Sequence, residues 1–166
     1  MKGMIKMNKE EVIQFLNDKG IAYTITEHVP VYTIEEMLEN HIPYPETIAK
    51  NLFIRDDKKK NYYLVSVRED KRVNLKQFQE AHGTRRLSFA SEGDLEKILG
   101  LTKGAVTPLG LLNDTEKITH FYLDRDLTGG DISVHPNENT ATVKMKTADL
   151  LKLIEENGSE IHVVEM

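Results

Sequence analysis

The sequence predicts a mixed α/β domain: a curved, mostly antiparallel sheet, open or barrel-like, with helices packed outside it. Three observations predict this class. Strand-like apolar runs outnumber helical ones. Several of those runs are joined by turns too short for a parallel crossover. No Gly-x-Gly-x-x-Gly and no Gly-Lys-Ser/Thr loop occurs, so neither a Rossmann dinucleotide site nor a P-loop has support.

In order along the chain, Asn8 is placed to cap a first helix. Glu10 and Glu11 suit its positive end, and Val12, Ile13, Phe15 and Leu16 form one apolar face. Gly20 suits its left-handed stop. Ile21 to Ile25 alternates like a strand. Thr33-Ile34-Glu35-Glu36 is a capping box that starts a short helix, and the two prolines of His41 to Pro45 require loop. Lys50 to Arg55 and Tyr62 to Val67 read as paired strands, with the charge run Asp56 to Lys60 at the hairpin tip. Asn74 caps a helix ending near His82-Gly83, and Leu87 to Phe89 is strand-like. Ser91 with Asp94 starts another helix, stopped by Gly100. Gly104 to Pro108 is turn-rich. Ile118 to Leu123, Asp131 to Val134 and Thr140 to Met145 read as strands, the last two joined by the turn Pro136 to Asn139. Thr147 caps a last helix, Gly158 stops it, and Ile161 to Val164 is a final strand.

The 166 residues fit one domain, spanning 1–166, without linkers or repeats. With no Cys, disulfides, thiolate nucleophiles and Cys-ligated metals are excluded. Twenty-two Lys and Arg against 27 Asp and Glu give a net charge of −5, which excludes a generally basic nucleic-acid coat but not a local basic patch. No apolar run reaches the ~20 residues of a membrane span. The start, Met1 to Asn8, lacks the apolar core of a signal peptide. The expectation is a soluble cytoplasmic protein without membrane contact.

Few residues stand out chemically. Lys50, at the mouth of a strand, either snorkels at the edge or aims its ammonium into a cleft to hold a phosphate or an ester oxygen. Gly104-Ala105-Val106-Thr107-Pro108 is either an ordinary turn or a loop presenting bare N–H and C=O groups to a small substrate. His135 is held extended by Pro136, which fixes the direction of its ring. The other histidines, at 28, 41, 82, 120 and 162, show no ligand spacing, so no metal site is expected. Asp124 and Asp126 read as a solvated turn more readily than as paired catalytic carboxylates. Ser88 and Ser91 lie in no nucleophile elbow. Arg85-Arg86 is the best candidate for docking phosphate, ahead of Lys58 to Lys60.

These features occur in a recognisable order. The segments are Val31-Tyr32-Thr33-Ile34-Glu35-Glu36, Ala49-Lys50-Asn51-Leu52-Phe53-Ile54-Arg55-Asp56 and Lys60-Asn61-Tyr62-Tyr63-Leu64-Val65. Leu87-Ser88-Phe89-Ala90-Ser91, Gly104 to Asp114 and His135-Pro136-Asn137-Glu138-Asn139-Thr140-Ala141-Thr142-Val143 follow. From about Asn8 onward the chain resembles the YbaK/ProX superfamily of aminoacyl-tRNA deacylases, which is similar to the editing domain of bacterial prolyl-tRNA synthetases. It looks most like the free-standing ProX/PrdX branch.

The resemblance implies trans-editing, the hydrolysis of the ester between a wrong amino acid, alanine first, and tRNA(Pro). A cysteinyl-tRNA(Pro) deacylase, a non-catalytic tRNA- or synthetase-binding module and a sensor of free amino acid or aminoacyl ligand are the alternatives. It also implies roles for residues. Lys50 matches the functional lysine, Asn51 its pocket neighbour, Gly104 to Pro108 the substrate-gripping loop, and His135 the pocket histidine. Val31, Leu52 and Val106 are apolar neighbours of these motifs, as pocket walls or as core. The implied mechanism is substrate-assisted through the terminal ribose 2′-OH, with no metal or organic cofactor. The implied partners are the tRNA(Pro) acceptor end and prolyl-tRNA synthetase; Arg85 and Arg86, adjacent, always charged and just before a strand, are the residues expected at the acceptor stem.

Overall fold

A computed structural model describes residues 6–166, and at Ile34 the backbone alone. The expectation about Met1 to Asn8 lies largely outside these residues. Helix α1 (Lys9–Asp18) starts where Asn8 accepts from the Glu11 N–H at 2.9 Å and Glu11 accepts from the Asn8 N–H at 3.1 Å. These reciprocal bonds satisfy two otherwise orphaned donors. Strand β1 (Tyr23–Glu27) follows, then α2 (Ile34–Glu39), capped by Thr33. Strands β2 (Ala49–Asp56) and β3 (Tyr62–Arg68) form the expected hairpin. Asp56 closes its tip by accepting from the Lys60 N–H at 3.0 Å and the Asn61 amide at 2.9 Å.

Helix α3 (Leu75–His82) runs from its Asn74 cap to a left-handed Gly83. After β4 (Leu87–Phe89), the helix begun by Ser91 has one α turn, α4 (Glu92–Asp94), and then widens into a π turn, Leu95–Leu99. The chain continues through β5 (Thr119–Asp124), β6 (Asp131–Val134), β7 (Ala141–Lys146), α5 (Thr147–Glu156) and β8 (Glu160–Val164). Thr147 does not cap α5 as expected. It is the first helical residue, and its hydroxyl donates to the Leu127 carbonyl at 2.7 Å.

The strands do not close into a barrel. They form a five-stranded sheet, β4-β2-β3-β5-β8, and a three-stranded sheet, β1-β7-β6. Pairing is antiparallel except for β3–β5 and β5–β8. An isolated parallel bridge, Ile48 to Ser133, joins the two sheets. Alternation along the large sheet sorts its side chains. Ile54, Tyr63, Val65 and Tyr122 pack with Phe78 of α3, whereas Phe53, Tyr62, Leu64 and Phe121 join α1, α5 and the small sheet in the main core. A third cluster, Val31, Met37, Ile42 and Ile48, lies under α2. No helix among the described residues is long and apolar enough to cross a membrane.

Candidate active site

Where the two sheets meet, a cleft of about 340 Å3 opens to solvent. Its walls come from the start of β2 (Lys50, Asn51), the loop after β1 (Val31, Tyr32), the Gly104 loop and His135 at the end of β6. Sequence positions spanning more than a hundred residues thus converge, and five of them, Val31, Lys50, Asn51, Gly104 and His135, were singled out from the sequence together with Val106, which also lines the cleft.

Gly104 adopts φ +91°, and a Cβ there would sit 2.6 Å from the Tyr32 ring and 3.0 Å from the Asn139 amide nitrogen. Both conformation and close approach therefore require glycine. Asn51 holds the same loop, donating to the Val106 carbonyl at 3.2 Å while accepting from the Ser66 hydroxyl. Ala105, Thr107 and Pro108 are buried and do not line the cleft. The Ala105 N–H bonds the Thr102 carbonyl at 3.0 Å, and the Thr107 hydroxyl accepts from the Leu109 N–H at 3.3 Å. These three residues fix the loop and leave contact to Gly104 and Val106. Among the described residues nothing accepts from the Gly104 or Val106 N–H.

His135 is half-buried, with Nδ1 2.8 Å from the Ala141 carbonyl. A carbonyl only accepts, so Nδ1 carries the proton and Nε2 is the basic nitrogen. Burial, helped by the nearby His28, holds the ring's pKa below its ordinary value, against a smaller opposing effect of the Ala141 bond. The ring is therefore neutral at pH 7.

Lys50 borders the cleft, but its ammonium donates to the Lys71 carbonyl. By strand alternation Lys50 and Asn51 leave β2 on opposite faces. Leu52 follows Lys50, packs beside the Ile54 cluster and lines a neighbouring groove, so it is not a wall of this cleft. Asp124 is fully buried rather than solvated, and it pairs with Lys71 at 2.8 Å. It buttresses the segment that holds Lys50 and takes no place in the cleft.

Sequence reasoning missed Tyr32, Thr33, Met37 and Ala49 as lining residues, and it gave Asn139 no task. The polar side chains of the His135 to Asn139 turn each bind a different backbone. Asn137 donates to the Met7 carbonyl at 3.0 Å, and Glu138 accepts from the Lys9 N–H at 3.0 Å. Asn139 accepts from the Val31 N–H at 3.1 Å and donates to the Val31 carbonyl. The available signal for Tyr32, which is 65% exposed, was its place in the motif Val31 to Glu36.

Arg85 and Arg86 are exposed beyond the opposite end of β2, six residues or ~20 Å along the strand from Lys50. Arg85 is engaged in a fork with Asp57 at 2.6 and 3.1 Å.

An open cleft with a rigid glycine loop, a neutral imidazole of fixed tautomer and few charged groups suits a small activated substrate better than a metal or a dinucleotide. The fold has a solved counterpart. A solved structure described as a candidate trans-editing enzyme for prolyl tRNA synthetase superposes with a TM-score of 0.71 at 21% identity, covering 98% of this chain and 99% of that one. The family model for the aminoacyl-tRNA editing domain matches residues 28–153, and the chain belongs to that family. It is 45% identical over 159 residues to the prolyl-tRNA editing protein ProX of Acetoanaerobium sticklandii, covering 95% of this chain and 97% of the relative. It is 38% identical over 151 residues to the prolyl-tRNA synthetase associated domain-containing protein 1 of Danio rerio, covering 89% and 82%.

Proposed function

We propose that this protein is a single-domain, cytoplasmic aminoacyl-tRNA deacylase that acts in trans on tRNA(Pro), removing wrongly attached alanine. The observation that carries this reading is the convergence of Gly104, Val106, Asn51 and His135 on one small cleft, in a chain so similar to ProX.

An aminoacyl ester is already activated, so positioning does most of the work. The Gly104 and Val106 N–H groups are the loop's donors toward the ester oxygen, which gains negative charge as water adds. Nε2 of His135 accepts a hydrogen bond from the substrate and orients it. The vicinal ribose hydroxyl assists the attacking water, and the ester C–O bond breaks to release free amino acid and tRNA. Lys50 reaches the terminal phosphate or the ester by exchanging the Lys71 carbonyl for substrate. The exposed Tyr32 ring is a stacking surface for the terminal base. Val31 and Val106 bound the amino-acid end, where proline, larger than alanine, is excluded by overlap. Such a second sieve is useful because a proline pocket gains only ~1–3 kcal/mol against a smaller side chain. Arg85 and Arg86 are candidates for acceptor-stem contact, and prolyl-tRNA synthetase is the candidate protein partner.

The test is single-turnover hydrolysis of tRNA(Pro) charged with Ala, Cys, Ser or Pro. Faster release of Ala than of all others supports the reading. Faster release of Cys assigns a cysteinyl deacylase, and binding without hydrolysis of any ester assigns a non-catalytic module.

A further inference from the structure

The geometry points to a second site, a binding site for a divalent transition-metal ion of the zinc class formed by His120, Glu160 and His162 on the β5–β8 edge of the large sheet. Parallel pairing sets His120 opposite Glu160 and Tyr122 opposite His162. Glu160 and His162 are two apart in one strand, so they share a face. One ligand atom from each of the three residues lies within 4.8 Å of the others. Glu160 Oε1 is 3.5 Å from His162 Nε2, and Glu160 Oε2 contacts His120 Nδ1. Zinc–nitrogen bonds of ~2.0–2.1 Å in tetrahedral geometry place donor atoms about 3.3 Å apart, so the touching His120–Glu160 pair must open, and donors up to 4.8 Å apart must close, for the ion to fit.

The surroundings prepare the donors. The buried Asp56 carboxylate accepts from the Asn61 amide nitrogen at 2.9 Å. A carboxylate can only accept, which fixes that amide's orientation and turns its oxygen to His120 Nε2 at 3.3 Å. Nε2 therefore carries a proton, and Nδ1 is the ring nitrogen that faces the Glu160 carboxylate. A cation, either a second ring proton or a metal ion, joins the two. Metal-bound histidines typically donate their other N–H to an oxygen in this manner. Both rings are also braced by stacking, His120 on Tyr63 at 5.2 Å and His162 on Tyr122 at 4.5 Å. Both histidines are half-buried and Glu160 is exposed, so an ion enters from solvent and water completes its shell. A metal there staples the last strand to β5.

The experiment is titration of untagged, chelator-treated protein with Zn2+ by calorimetry and with Co2+ by visible absorption. The expected result is one ion per chain and a Co2+ spectrum of low coordination number. His162→Ala and Glu160→Gln should each weaken binding at least tenfold, while His82→Ala, outside the triad, should not. Circular dichroism verifies that each variant is folded, and alanyl-tRNA hydrolysis by His162→Ala should be unchanged. Absence of binding up to 0.1 mM Zn2+ (~10−4 M, far weaker than structural zinc sites), or binding that survives both ligand substitutions, overturns the site and leaves a proton-bridged triad.

Discussion

The side-chain amide of Asn139 pairs with both backbone groups of Val31, accepting from its N–H at 3.1 Å and donating to its carbonyl. It acts as one rung of a sheet between segments 108 residues apart, and it sets the cleft wall that carries Val31 and Tyr32. Asn139→Ala leaves two partly buried backbone groups unpaired, at a cost of about 1–3 kcal/mol. Stability should fall by that amount, KM should rise more than kcat falls, and exchange of the Val31 amide should accelerate. Unchanged amide exchange would show that the clamp does not hold this loop.

Lys50→Ala should leave the circular dichroism spectrum intact and lower single-turnover deacylation about 100-fold, the scale of one lost electrostatic contact to the reacting group. A folded variant with full activity removes Lys50 from the mechanism and leaves it as a strap on the Lys71 carbonyl.

Gly104→Val should damage activity more than Val106→Ile does. The cost has two separable parts, a left-handed backbone and a Cβ 2.6 Å from the Tyr32 ring. Gly104→Ala carries both, and adding Tyr32→Ala to it removes the clash with the ring, the Asn139 amide remaining 3.0 Å from the new Cβ. Backbone strain alone should cost about 1–2 kcal/mol of stability. Full recovery of stability by the double variant would assign the whole effect to the ring.

Because burial lowers the pKa of His135 from its ordinary 6.5, its basic form persists below pH 6.5. The unfolded chain binds this proton first. The contribution to stability is therefore whole above about pH 6.5 and is lost as pH falls from there toward the depressed folded value. The pH profile of kcat/KM should stay level through 6.5 and drop only below it, in step with the His135 ring signal in an NMR titration. An inflection above 6.5 would exclude His135 as the controlling group.

Arg86 has no carboxylate partner among the described residues, whereas Arg85 is paired to Asp57. Arg86→Ala should weaken tRNA binding and reduce its salt slope by roughly one unit. Hydrolysis of a short aminoacyl-nucleotide mimic should hardly change, since the site is ~20 Å away along β2. An unchanged salt slope would make Arg86 an ordinary surface charge.

What the sequence disclosed was mostly local. The Asn8–Glu11 and Asn74 caps, the Asp56 hairpin and the Gly83 stop depend on neighbours a few residues apart, and each forms where expected. Val31, Lys50, Asn51, Gly104, Val106 and His135 were legible through the order of their motifs, whereas Tyr32, Thr33, Met37 and Ala49 were missed. Partners set by tertiary topology were not legible. The Asn139–Val31 rung, the Arg85–Asp57 fork and the His120–Glu160 contact bring together residues distant in sequence. Lys50 was placed correctly on its strand, but alternation sends its ammonium to Lys71. Asp124 looked like a solvated turn because its cation, Lys71, arrives from 53 residues away.

The two sheets meet through the Ile48–Ser133 bridge, reinforced by the Thr47 and Ser133 hydroxyls 2.6 Å apart, and the cleft takes one wall from each side of that junction. Its width is therefore a relative coordinate of two sheets, each with its own internal hydrogen bonding, that share one core. Warming or mild denaturant can shift such a coordinate slightly before the shared core gives way. On the proposed function, rejection of proline should then erode at temperatures where the helical signal is still fully native, and hydrolysis of correctly charged tRNA would be the first symptom of a loosening fold.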